Sequence, residues 1–149
     1  MKILVMNGPN LNFLGIREKG IYGTESYEDL VARLKAKAEQ EQFELELYQG
    51  NGEGELIDRL QMAYFEQVDG IVINPGAYAH YSIALRDALA VMEMPVIEVH
   101  ISNVHKREEF RHTSVITPVC TGEILGLGTD GYFLAVDAIL ARIRRAAEQ

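Results

Sequence analysis

The sequence predicts an α/β fold in which one parallel sheet is covered by helices on both faces. Short apolar segments alternate with amphipathic helical segments five times along the chain, with short connections between them. Two of the segments, Lys2–Met6 and Ile71–Ile73, are apolar on both sides, which is typical of strands in the middle of a parallel sheet. At 149 residues the chain is long enough for one hydrophobic core, so we expect a single domain over residues 1–149.

The first strand is expected to end abruptly at the polar sequence Asn7-Gly-Pro-Asn10. Open parallel sheets bind ligands at the carboxyl ends of their strands, so the loop that follows is expected at the ligand crevice. This loop carries Arg17 and Tyr22. Three glycines lie beside them: Gly15, Gly20 and Gly23. We interpret the loop as a mobile lid.

The next elements follow from capping and periodicity. Ser26-x-x-Asp29 resembles a capping box and predicts a helix over Tyr27–Gln42. The alternation of apolar and polar residues in Phe43–Tyr48 is typical of a half-buried strand at the edge of a sheet. A second helical pattern covers Leu56–Gln67 and leads into the central apolar strand.

The second half of the chain repeats the alternation. A third helix is expected to start at Ser82, and Pro95–Ile101 is predicted as the fourth strand. The polar segment that follows, as far as Arg111, should contain a short helical turn. Glu123–Leu125 is predicted as the fifth strand, and a terminal helix over Tyr132–Ile143 ends in arginines, as the helix dipole favours.

The number of these units favours the flavodoxin-like three-layer sandwich, with a five-stranded parallel sheet of order 2-1-3-4-5. In that order the ligand crevice lies between strands 1 and 3, where the direction of winding reverses. The loops that meet there would bring together a set of polar side chains: Asn10, Arg17, Tyr22, Asn74, His80, His100, Ser102 and Arg111.

Composition narrows the class of partner. There are 14 Lys and Arg residues against 22 Asp and Glu, and the net charge of −8 argues against a nucleic acid or an anionic membrane. A site for an anion must therefore be local. The single cysteine, Cys120, leaves no intrachain disulfide and points to a reducing compartment, and the chain starts in a strand instead of a signal peptide. We expect a cytoplasmic protein.

Two features associated with cofactors receive structural interpretations. Gly126-x-Gly128-x-x-Gly131 has the spacing of a dinucleotide fingerprint, but it lies in the last unit of the chain, where no further strand can supply the acidic partner. We interpret it as a helix N-terminus packed close to the sheet. The four histidines show no metal-ligand spacing: His80, His100, His105 and His112. Neither a metal nor an organic cofactor is expected.

Two pairs of residues suggest proton-transfer chemistry. Glu98 and His100 project on the same side of the fourth strand, so that Glu98 can orient the ring for proton exchange with a ligand. The alternative is a strand histidine that forms a hydrogen bond with Glu98 and has no catalytic role. A guanidinium such as Arg17 beside the phenol of Tyr22 favours the phenolate, which is a usable base. The alternative is a surface cation next to a tyrosine tucked under its own loop.

Arg107 and Arg111 lie one helical turn apart in the sequence. They form either a solvated face with Glu108 and Glu109 or a local positive charge that holds an anion. Together with the other crevice residues they suit a small polyhydroxylated anion. The possible base and acid support proton transfer, including an elimination.

With these motifs in place, the chain strongly resembles the type II 3-dehydroquinate dehydratases nearly from end to end. The matching blocks are Asn7-Gly-Pro-Asn-Leu-Asn12, Leu14-Gly-Ile-Arg17 with Tyr22-Gly23, Glu53-Gly-Glu-Leu-Ile-Asp58, Asn74-Pro-Gly-Ala-Tyr-Ala-His80, Ala84-Leu-Arg-Asp-Ala88, Glu98-Val-His-Ile-Ser-Asn103, Arg107-Glu-Glu-Phe-Arg-His112 and Gly126-Leu-Gly128 with Gly131-Tyr132. The resemblance implies one catalytic domain and a hydro-lyase that converts 3-dehydroquinate to 3-dehydroshikimate, the third step of the shikimate pathway. It also implies that neither metal nor organic cofactor is needed.

The resemblance further implies roles at the matching positions. Tyr22 would remove a proton from C2 of the substrate, with Arg17 holding the phenolate, to give an enolate. Asn10 would help to hold a water on the enolate oxygen. His100, oriented by Glu98, would protonate the leaving C1 hydroxyl. The expected substrate contacts are the backbone N–H groups of Ile101 and Ser102 and the side chains of Asn74, His80 and Arg111.

The resemblance implies an assembly as well. Asp87 is expected to reach the site of a neighbouring subunit, because the family forms a dodecamer, a tetramer of trimers. The sequence departs from the family pattern at Lys19-Gly20, where the lid lacks the usual proline, and at Gly50 and Gly52. Two alternatives stay open: a non-catalytic flavodoxin-like module that binds a small ligand such as a flavin, and a purely structural assembly protein.

Overall fold

A computed structural model describes residues 1–149 and contains a five-stranded sheet in the order β2-β1-β3-β4-β5. The strands are β1 (Lys2–Asn7), β2 (Glu44–Gln49), β3 (Gly70–Asn74), β4 (Val96–His100) and β5 (Gly122–Leu125). Each strand runs parallel to its neighbours. The predicted flavodoxin-like α/β fold and its strand order are confirmed.

Helices cover both faces of the sheet. They are α1 (Lys19–Tyr22), α2 (Tyr27–Glu41), α3 (Glu53–Glu66), α4 (Ile83–Ala90) and α5 (Asp130–Ala147). Helices α2 and α5 pack on one face, and α3 and α4 pack on the other. None of the helices combines the length and the apolar character required to cross a membrane.

The two cores explain why β1 is apolar throughout. Ile3 and Val5 belong to the core under α2 and α5, whereas Leu4 and Met6 belong to the core under α3 and α4. Successive side chains of a strand point to opposite faces, so a central strand must be apolar at every position. All four side chains are fully buried.

Helix α2 begins where the sequence predicts. The N–H of Asp29 donates to Ser26 Oγ over 3.0 Å, and the N–H of Ser26 donates to Asp29 Oδ2 over 3.1 Å, which completes the capping box. The helix ends at Glu41, one residue earlier than predicted, because Gln42 adopts a left-handed conformation with φ of 57°.

The polar segment after β4 contains short helical turns, as predicted, but they are interrupted at Arg107. It forms two short 3-10 turns, Val104–Lys106 and Glu109–Arg111, and the backbone at Arg107 is extended between them. The prediction that Arg107 and Arg111 lie one helical turn apart is therefore wrong. The break in the helix allows each arginine to be directed separately.

The glycines after β5 serve the packing of α5. Gly126 and Gly128 have φ values of 83° and 62°, which glycine adopts without strain. Gly131 lies in the first turn of α5, and a Cβ atom at this position would come within 3.3 Å of the Val99 side chain. This geometry agrees with the predicted close packing of a helix N-terminus on the sheet.

Candidate active site

The loops that follow β1, β3 and β4 surround a cavity of about 180 Å³ at the carboxyl edge of the sheet. The lining includes every residue that the predicted topology brings together: Asn10, Arg17, Tyr22, Asn74, His80, His100, Ser102 and Arg111. Arg107 is a third arginine of the lining, to which no Asp or Glu contributes. The lining thus contains three cationic side chains in a protein whose net charge is −8, and Glu18 and Glu108, outside the lining, form salt bridges with them.

Tyr22 lies between two guanidinium groups. Arg17 Nη2 donates to the phenolic oxygen over 3.2 Å, and Arg107 Nη1 donates to the same oxygen over 2.6 Å. Two cationic donors thus converge on one phenolic oxygen, an arrangement of charge-assisted hydrogen bonds. The sequence analysis expected Arg17 in this place, whereas Arg107 carried no assigned role at Tyr22.

Helix α1 and the turn before it hold this pair. The N–H of Tyr22 donates to the carbonyl of Glu18 over 3.0 Å, which closes a helical turn behind Arg17. Arg107 is anchored from the other side of the cavity, because its Nη1 also donates to Ser102 Oγ over 3.2 Å. The guanidinium of Arg107 therefore connects the lid to the loop after β4.

Glu98 and His100 form the second reactive pair. His100 Nε2 lies 2.5 Å from Glu98 Oε2, and the Glu98 side chain is fully buried beneath the ring. The other ring nitrogen, Nδ1, forms no hydrogen bond within the protein, and the ring lines the cavity. With Nε2 held by Glu98, Nδ1 is the nitrogen that can exchange a proton with a ligand.

The buried Glu98 carboxylate is stabilised by several donors. Its Oε1 accepts hydrogen bonds from the hydroxyls of Ser114 and Thr117, both over 3.0 Å. Burial alone would raise the pKa of Glu98, but the interaction with His100 and these two hydroxyls outweigh it and lower the pKa below its ordinary value. The ionised Glu98 carboxylate in turn accepts from the His100 ring and fixes its orientation.

His80 faces His100 across the cavity. The two rings are nearly parallel, with centroids 6.1 Å apart, and His80 Nδ1 donates to the carbonyl of Thr113 over 2.9 Å. Burial and the neighbouring His100 lower the pKa of His80, so its ring is neutral at pH 7. Its Nε2 is then free to accept a hydrogen bond from a hydroxyl group.

Backbone and amide groups complete the lining. The N–H groups of Ile101 and Ser102 follow β4 directly and donate no hydrogen bond within the chain, so they are available to an anion. Asn10 lines the cavity in a left-handed conformation with φ of 70°. Asn74 lies at the end of β3 and is almost fully buried.

Asp87 lies apart from these residues. It is exposed on α4 and does not line the cavity of its own chain. Sequence reasoning named Arg107 only as a possible anion contact and did not identify Ser114 and Thr117, although all three support the reactive pairs through hydrogen bonds.

One cluster has the residue types of a metal site. Ligand atoms of Glu98, His100 and Glu123 lie within 4.8 Å of one another. The oxygens of Glu98, however, already accept three hydrogen bonds, from His100 and the two hydroxyls described above. Hydrogen bonding therefore accounts for this arrangement. Glu123 lies at the edge of the cluster, with its Oε1 3.8 Å from His100 Nε2.

The sequence profile of the Dehydroquinase class II family matches residues 1–140. The chain belongs to this family. The family prediction made from the motifs is thereby confirmed. This dehydroquinase is 67% identical, over 141 residues, to the 3-dehydroquinate dehydratase of Lachnoclostridium phytofermentans. The match covers 95% of this chain and 97% of the relative.

Solved structures of the family have the same fold. The type II dehydroquinase from Butyrivibrio crossotus is 61% identical, with a TM-score of 0.92 over 93% of this chain and 97% of that one. The type II dehydroquinase from Propionibacterium acnes is 46% identical, with a TM-score of 0.89 over 93% of this chain and 94% of that one.

Proposed function

We propose that this dehydroquinase is a hydro-lyase that dehydrates 3-dehydroquinate to 3-dehydroshikimate, the third step of the shikimate pathway. The observation that carries the proposal is the position of Tyr22, whose phenolic oxygen accepts from both Arg17 and Arg107 inside a cationic cavity. A phenolate held in this way is a base, and three arginines suit a carboxylated substrate.

In the first step, Tyr22 removes a proton from C2, next to the ketone of the substrate. The negative charge moves onto the ketone oxygen and forms an enolate. Asn10, which lines the cavity beside the lid, helps to hold a water against that oxygen. The two guanidinium groups remain close enough to stabilise the developing charge.

In the second step, the enolate collapses and the C1 hydroxyl leaves as water. His100 donates a proton from Nδ1 to that hydroxyl, while Nε2 stays bound to Glu98. The base and the acid act from opposite faces of the ring, which gives an anti elimination. The new double bond between C1 and C2 is conjugated with the ketone.

The remaining polar groups of the cavity orient the substrate. The free N–H groups of Ile101 and Ser102 suit the carboxylate, because backbone donors at the end of a strand form an anion site. Asn74, His80 and Arg111 line the same cavity and would contact the other oxygens. Asp87 would act on a neighbouring subunit.

We also propose that residues 1–149 form a single catalytic domain that assembles as a dodecamer, a tetramer of trimers, in the cytoplasm. The two cores share one sheet, which supports a single domain. Cys120 is a free thiol, which supports a reducing compartment.

The proposed function is tested by incubating the purified protein with 3-dehydroquinate and following the ultraviolet absorbance of the conjugated product. The wild-type protein should produce the enone, and Tyr22→Phe should lower kcat by at least about 100-fold, since the base is lost. Tyr64→Phe removes a hydroxyl from an exposed position on α3 and should be fully active.

The same assay separates the alternatives. A small-ligand module would bind without turnover and would tolerate Tyr22→Phe, and a flavin module would be coloured when purified. A structural protein would show no specific binding of 3-dehydroquinate. A folded wild-type protein that produces no enone would refute the proposed activity.

A further inference from the structure

Behind the cavity, a buried chain of hydrogen bonds joins the ends of β1 and β3 to α5. Tyr132, in the first turn of α5, is fully buried. Its hydroxyl lies 2.5 Å from Asn7 Oδ1 and 2.9 Å from Asn74 Nδ2. Asn7 and Asn74 are register partners at the ends of adjacent strands.

The Gly76 N–H determines which groups donate and which accept along this series of hydrogen bonds. The backbone N–H of Gly76 donates to Asn74 Oδ1 over 3.1 Å, and a backbone N–H cannot accept. The Asn74 amide nitrogen must therefore face Tyr132, whose oxygen accepts from it. The Tyr132 hydroxyl can then donate only to Asn7 Oδ1, so both partners of the tyrosine are determined.

The consequence concerns the cavity. With Oδ1 held by Gly76 and one hydrogen of Nδ2 held by Tyr132, Asn74 retains a second amide hydrogen and a defined orientation at the cavity wall. The Gly76 N–H determines which end of the amide faces Tyr132, and the bond to Tyr132 restrains the amide plane, which a single hydrogen bond would leave free to rotate about the broad terminal torsion. We infer that Tyr132 is a positioning residue that holds Asn74 as a hydrogen-bond donor toward an oxygen of the substrate.

This inference rests on the proposed function. The wild-type assay distinguishes a failure of the proposed activity from a failure of the proposed role of Tyr132. If the wild-type protein turns over 3-dehydroquinate, Tyr132→Phe should raise KM about tenfold and change kcat by less than about twofold, because an orienting contact acts on bound substrate and transition state alike. An unchanged KM in Tyr132→Phe would contradict the inference while leaving the activity established.

Two controls distinguish positioning from loss of stability. Ile139→Val removes a methyl group from a fully buried residue of the same helix and should leave KM unchanged at a temperature where both variants are folded. In an Asn74→Ala background, Tyr132→Phe should have no further effect on KM. An equal effect in both backgrounds would mean that Tyr132 acts through another residue.

A measurement on the wild-type protein applies even where Tyr132→Phe does not fold. In protein labelled with ¹⁵N-asparagine, the side-chain amide hydrogen of Asn74 that faces Tyr132 should exchange with solvent at least about tenfold more slowly than the amide of exposed Asn12. Exchange of both amides at the same rate would refute the buried hydrogen bond on which the inference depends.

Discussion

Glu98 is a carboxylate kept ionised although its own chain shields it from solvent. It is fully buried, and its charge is balanced by His100 and by the Ser114 and Thr117 hydroxyls. An isolated buried charge costs several kcal/mol, so each of these partners is needed to offset the loss of hydration. The same interactions hold the His100 ring in one orientation.

We expect Glu98→Gln to lower kcat at least about tenfold, because a neutral amide is a weaker acceptor for His100 Nε2 and holds the catalytic ring less firmly. It should also lower the free energy of unfolding by about 1–3 kcal/mol at pH 7, through the loss of charged hydrogen bonds. Steady-state assays and urea denaturation measure the two effects. His105→Gln changes an exposed histidine outside the cavity and serves as the control.

The pH dependence of the same variant gives a second comparison. The folded-state pKa of Glu98 is lowered, so its stabilising contribution is fully present above the ordinary value of 4.5 and is lost as the pH falls through the folded pKa. The stability difference between wild type and Glu98→Gln should thus shrink as the pH falls below 4.5. A difference that grew on acidification would contradict this assignment.

Individual residues were predictable to different degrees. The pairing of Glu98 with His100 follows from a separation of two in a strand, and Arg17 and Tyr22 lie on one short loop. Arg107 contacts Tyr22 across a separation of 85 residues, and nothing in the local sequence indicates that the extended backbone at this position directs it toward the lid. Ser114 and Thr117 reach Glu98 from another loop for a similar reason.

At the scale of elements, local signals located the ends of α2 well. The Ser26 and Asp29 pair is short-range, so the sequence contains the whole interaction. Helix α1 was missed because Gly20 and the flanking Gly15 and Gly23 indicate a flexible loop. That single turn forms only where Arg17, Tyr22 and Arg107 come together, which is a tertiary effect.

We expect Ser26→Ala to lower the free energy of unfolding by about 1 kcal/mol, since the N–H of Asp29 loses its acceptor. Urea denaturation measures the change. Glu39→Ala lies on the exposed face of the same helix and should change stability by less than about 0.5 kcal/mol. Because α2 lies outside the cavity, kcat should be unchanged in both variants, and a loss of activity in Ser26→Ala would show that the start of α2 is coupled to the lid.

At the scale of the whole molecule, the acidic surface and the cationic cavity have separate roles. The net charge of −8 is a property of the chain as a whole, whereas the three arginines act over the few ångströms around the cavity. Net charge thus argued against nucleic acid as a partner but did not identify the ligand. The predicted topology was more informative about the site, because the strand order determines which distant loops meet at the cavity.

The position of Asp87 makes the assembly part of the proposed site. Asp87 is exposed on α4, away from the cavity of its own chain, and Ile83 on the same helix is 56% exposed. An exposed apolar side chain beside the acid suits a contact between subunits. The expectation is that each site combines Tyr22 and His100 of one chain with Asp87 of a neighbour.

Subunit mixing tests this arrangement. Tyr22→Phe and Asp87→Ala homo-oligomers should each be nearly inactive, but after dissociation and joint reassembly in equal amounts, about one quarter of the sites should contain both wild-type residues. Activity should rise toward that fraction of the wild-type value. Mixing Tyr22→Phe with His100→Ala should restore nothing, because both residues belong to the same chain. With mixed oligomers verified by mass spectrometry, equal and negligible recovery in the two mixtures would place Asp87 outside the neighbouring site.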